Sequence, residues 1–170
     1  MMPSTASLRH IPFDWREEVE IMTSVSGKAN KLADRAVSSL LDTLAPERSL
    51  SGRAPAGEPF EPHRTPTGCV LQAATAAVSV SWFPDSTHEI GHGELYVAVW
   101  RGTVARRGMT ATGRSAAIMS DIVFSLVSPP QDHLLWEGPD GTRFDTPSLA
   151  SKCLRLLQDE VDRVKAESKR

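Results

Sequence analysis

The periodicity of the apolar residues changes once along this chain, and that change bounds what it can fold into. Between Gly27 and Leu44 they recur at three- and four-residue steps: Ala29, Leu32, Ala33, Ala36, Val37, Leu40, Leu41 and Leu44. That spacing is an amphipathic helix with a single apolar stripe. Ser26 is placed to cap it and Pro46 to stop it. After Gly68 the step becomes two. Ala76, Val78, Val80 and Trp82 alternate with Ala77, Ser79 and Ser81, which is the pattern of a half-buried strand. Residues 95–100 (LYVAVW) are apolar on both faces and are expected as a central strand, joined to the first by a long hairpin loop.

Residues 114–127 fit both periods, but the ending IVFSLV is rich in β-branched and aromatic side chains and favours a strand. Pro129 and Pro130 end that segment. A short hairpin follows, LLWE and TRFD around Pro139 and Gly141. The last segment is helical again: Leu149, Ala150, Cys153, Leu154, Leu157, Val161 and Val164 form the stripe, Thr146 can cap it, and Pro147 suits its first position.

The expected fold is therefore α+β: an antiparallel sheet of about four to five strands packed against an N-terminal and a C-terminal amphipathic helix. The expected organisation is an N-terminal segment (1–26), the first helix (27–45), a proline-rich linker (46–67) and an α+β domain (68–170). The linker reading rests on five prolines and only two large apolar residues, Leu50 and Phe60, too little apolar surface to offset the ordering of the chain.

Composition narrows the function classes. With 19 basic and 21 acidic residues among 170 the net charge is −2, and a dedicated nucleic-acid binder carries a basic excess instead. Two cysteines, Cys69 and Cys153, supply neither a disulfide framework nor a zinc ribbon, and are read as small buried hydrophobes. Residues 1–15 lack the apolar stretch of a secretory signal. The longest apolar-looking run, residues 70–83, is interrupted by Gln72, Thr75 and serines and is too short to span a bilayer. These features point to a cytoplasmic protein with no membrane contact. Fourteen arginines against five lysines suggest a GC-rich bacterial genome.

Three fragments carry chemical patterns. His88-Glu89-Ile90-Gly91-His92 resembles the HExxH motif of zinc metalloproteases, where two histidines one helical turn apart grip zinc and the glutamate acts as general base. The resemblance would imply a zinc-dependent hydrolase using His88, Glu89 and His92. Pro84 before the motif and Gly91 and Gly93 within and after it oppose the helix this chemistry needs, so a polar hairpin loop is expected. Gly108 to Ser115 is similar to a phosphate-binding P-loop with Arg114 in place of the lysine. More generally Arg101, Arg106, Arg107 and Arg114 lie in a stretch without acidic residues and could bind an anion or nucleic acid. Residues 140–150 resemble the core of the small RAMA domain found beside restriction and methylation enzymes; a turn, a short strand and a Thr-Pro cap account for the same residues.

The reading expected from the whole is a non-catalytic protein-binding module, adaptor- or chaperone-like. It would contact another protein, or a second copy of itself, through its sheet or first helix, with Trp82, Trp100 and Trp136 as core or interface anchors. No catalytic residue, metal or cofactor is assigned. The alternatives are the zinc hydrolase and the arginine-hairpin anion binder.

Overall fold

The computed structural model describes residues 31–84, 93–104, 116–127 and 134–170. Helix α1 runs over residues 31–44 and buries Ala33, Val37, Leu40 and Leu44, the three- and four-residue stripe. Eight strands follow: β1 (Gly52–Arg53), β2 (Pro59–Thr65), β3 (Gly68–Gln72), β4 (Ala76–Pro84), β5 (Gly93–Arg101), β6 (Ala117–Val127), β7 (Leu135–Glu137) and β8 (Arg143–Phe144). Helix α2 (Thr146–Glu167) closes the chain. The strands pair in sequence order, each antiparallel to the next, in one sheet curled into a half-barrel.

Eight strands replace the expected four to five, although the α+β class holds. Part of the excess comes from residues 46–67. Their prolines suggest an unpacked tether, yet β1 and β2 lie there and pair with each other and with β3. Phe60 and Ala54, 6 % and 3 % exposed, anchor them to the core. A Cβ at Gly52 would overlap the Phe60 ring, so this glycine lets the ring lie across β1. Pro62 is tolerated because β1 pairs with β2 only at Pro59 and Phe60, so its missing N–H breaks no ladder bond to β1. A proline count cannot see that one phenylalanine folds the segment onto a sheet.

The core lies between the sheet and the two helices. Val78, Val80, Leu95, Val97, Phe124, Leu126 and Trp136 point into it from β4 to β7, and α2 returns Leu149, Cys153, Leu157 and Val161. Trp82 meets Trp136 edge-on at 5.8 Å, and Phe124 meets Phe144 in the same way. The N-cap of α2 is Asp145, one residue before the expected Thr146, and its carboxylate accepts from the Ser148 N–H at 2.8 Å. Among the described residues no helix is long and apolar enough to cross a membrane.

Candidate functional site

Strand alternation gives each inner strand two faces, and the described helices cover only one of them. On β5, Leu95, Val97 and Val99 face the core, while Glu94, Tyr96, Ala98 and Trp100 face the other way. Register carries that second face across the sheet. Ser79 lies opposite Ala98, which lies opposite Asp121; Tyr96 lies opposite Val123, and Trp100 opposite Ile118. The result is an open face with an aromatic pair at its centre and exposed aliphatic side chains beside it. Ile118 is 50 % exposed and Val123 37 %.

Polar contacts fix the two aromatic rings. The Trp100 indole N–H donates to Ser79 Oγ at 2.9 Å, which lays the ring across β4 instead of leaving it free in solvent. The Tyr96 hydroxyl donates to the Asp121 carboxylate. Partial burial, then that carboxylate as acceptor and as a negative charge, holds the phenol above its ordinary pKa, because each disfavours the phenolate. Both rings are therefore preset, and a partner packing on them would immobilise little further.

Of the zinc-motif and arginine candidates read from the sequence, Arg101 alone is among the described residues. His88, Glu89 and His92 lie outside the described residues, and so do Arg106, Arg107 and Arg114. Arg101 is described, and its guanidinium faces α2. Its Nε donates to Glu160 Oε1 at 2.8 Å and its terminal nitrogens reach Glu167 at 2.8 and 3.3 Å. Glu160 is buried and also accepts from Arg163 at 2.8 Å. The hydrogen bond to Glu160 above all pushes the Arg101 pKa further up, and the pair ties the end of β5 to the last turns of α2. Cys69 and Cys153 are both buried, and desolvation pushes their thiols up to about 12, so neither is a thiolate at neutral pH. Among the described residues no three His, Cys, Asp or Glu side chains cluster as metal ligands.

The sequence singles out Trp100, with Trp82 and Trp136, as a core or interface anchor, but not its neighbours. Tyr96, Ile118 and Val123 belong together only through the β5–β6 register. The available signal was that 95–100 is apolar on both faces, a pattern that demands cover on both sides. The chain matches no protein-family model, no curated protein and no solved structure.

Proposed function

We propose that this protein is a non-catalytic protein-binding module that docks a partner protein on the open face of its sheet. One observation carries the reading. Tyr96 and Trp100, with Val123 and Ile118 opposite them in register, put two partly exposed aromatic and two exposed aliphatic side chains on the face away from the core. Exposed apolar patches with aromatic centres mark interaction sites, and Trp and Tyr are enriched among the residues that dominate binding energy. The two free, buried cysteines suit a reducing compartment, which favours the cytoplasm.

Site-specific photo-crosslinking tests this. A crosslinker placed at Val123 should capture a defined partner in host cells, whereas one at Arg155, on the outer side of α2, should not. Trp100→Ala should abolish the Val123 adduct while leaving the circular dichroism spectrum unchanged. Equal adducts from both positions, or none from Val123, would remove the reading.

A further inference from the structure

Strand β6 is longer than the strands it pairs with on its outer side. Its inner edge is paired with β5 from Ala117 to Ser125, but β7 pairs with Ser125, Leu126 and Val127 alone. Beyond Glu137 the chain leaves β6 in a turn closed by the Gly138 N–H on Thr142 O and the Gly141 N–H on Gly138 O. Gly141 takes φ +78°, which the turn requires. Among the described residues, then, no strand pairs with the outer edge of β6 from Ala117 to Phe124. The sheet's nominal ends, β1 and β8, are two residues each. Among the described residues, a long edge without a paired strand therefore lies inside the strand order.

A free edge presents backbone N–H and C=O groups ready to pair with another strand, and proteins blunt such edges with lysines, prolines or bulges. Here β6 contains neither lysine, arginine nor proline. One bulge is present: the β5–β6 register shifts between Val99 and Trp100, which leaves Met119 as the extra residue. The regular free stretch is Ser120 to Phe124, long enough for one short strand. Flanking it or within it are Ile118, Met119 and Val123, each at least 37 % exposed.

Charge selects the occupant. On the open face, β5 to β8 carry three acids (Glu94, Asp121 and Glu137) and one base, Arg143, already held by Glu137 at 2.7 Å. Asp121 lies within the regular stretch. Because β6 holds no cationic residue, no register of β6 against a second copy of itself gives Asp121 a counter-charge. Pairing centred on Asp121 would set two carboxylates face to face, which is destabilising. A strand with apolar residues opposite Ile122, Val123 and Phe124, and a lysine or arginine opposite Asp121, satisfies every position. We infer that the outer edge of β6 takes up an extended, apolar and basic segment of a partner protein as an added strand. This rests on reading the open face as the docking surface.

Fluorescence anisotropy on the full chain tests it with three labelled heptapeptides. The first is Lys-Val-Ile-Val-Lys-Thr-Lys; the second has glutamate in place of each lysine; the third has proline in place of the central valine. The lysine peptide should saturate, and the other two should bind at least tenfold more weakly. Asp121→Lys should weaken the lysine peptide at least tenfold and improve the glutamate peptide. Should that variant fail to fold, Asp121→Asn should weaken the lysine peptide in the same direction by less. Failure of the lysine peptide to bind, or equal binding of the proline peptide, would overturn the inference. So would indifference to Asp121. Binding lost in Trp100→Ala but insensitive to proline and to Asp121→Lys would sink the added strand and leave the open face standing. A dimer in sedimentation that excludes the peptide and is broken by Val123→Lys would assign the edge to a second copy and overturn the inference as well.

Discussion

The two faces of β5 have opposite fates although their residues alternate one by one. Leu95, Val97 and Val99 are at most 4 % exposed beneath α1 and α2, while Tyr96 and Trp100 one step away stay partly in solvent. Intrinsic strand preference does not separate them, since tyrosine and tryptophan suit strands as well as valine does. What separates them is cover. The covered face holds the fold together, and the open face keeps apolar surface that none of the described helices covers.

Charge inserted on either side breaks the comparison most sharply. Leu157 is fully buried against the sheet, so Leu157→Asp should cost several kcal/mol and abolish cooperative unfolding by denaturant. Val123→Asp, on the open face, should stay within about 0.5 kcal/mol of the parent in the same measurement. The next largest effect concerns residues 46–67. Phe60→Ala should cost about 3 kcal/mol because its ring is buried, whereas Leu50→Ala, at a side chain 90 % exposed, should be silent. Equal and small effects would mean that β1 and β2 add nothing to the core.

Arg101→Met removes the guanidinium that faces buried Glu160 and leaves Arg163 as its remaining cation. Thermal unfolding should shift down by more than for Arg143→Met, whose ion pair with Glu137 is exposed on the open face. A subtler readout comes from the single tyrosine of the chain. Tyr96 should titrate above the ordinary value of about 10 in ultraviolet absorbance, and Asp121→Asn should bring it down by removing the negative charge and leaving only a neutral amide oxygen as acceptor. The smallest effect is at the α2 cap. Hydrogen bonds donated to its carboxylate by the Ser148 hydroxyl and then by the Ser148 backbone N–H lower the Asp145 pKa below its unfolded value. Its contribution is therefore present above about pH 4 and is lost as pH falls through the folded value. Asp145→Ala should lower the melting temperature slightly at neutral pH, and its difference from the parent should shrink as pH falls below about 4.

Local signals read well where one element buries one face. The stripes of α1 and α2 and the alternation of β4 need only neighbours within a turn or a strand, so the order of residues suffices. The open face was only half legible. The sequence marks 95–100 as apolar on both sides and Trp100 as an anchor, but Asp121 and Val123 meet Tyr96 through a register with a bulge that no local pattern announces. The His88 to His92 motif lies outside the described residues, and its neighbours in sequence remain the argument for a loop.

The sequence by itself determined the two helical stripes, the strand alternation of β4, the α+β class and the presence of a two-sided apolar strand, because side-chain period is a short-range property of the backbone. Tertiary structure decided the rest. It drew the proline-rich residues into the sheet through Phe60. It tied Arg101 to Glu160 and Glu167, 59 and 66 residues away. It also chose which face of the sheet the helices cover and left β6 long where β7 is short. Each outcome depends on contacts between residues far apart in the chain, and burial and pairing at that distance are set by packing, not by the residues next in line.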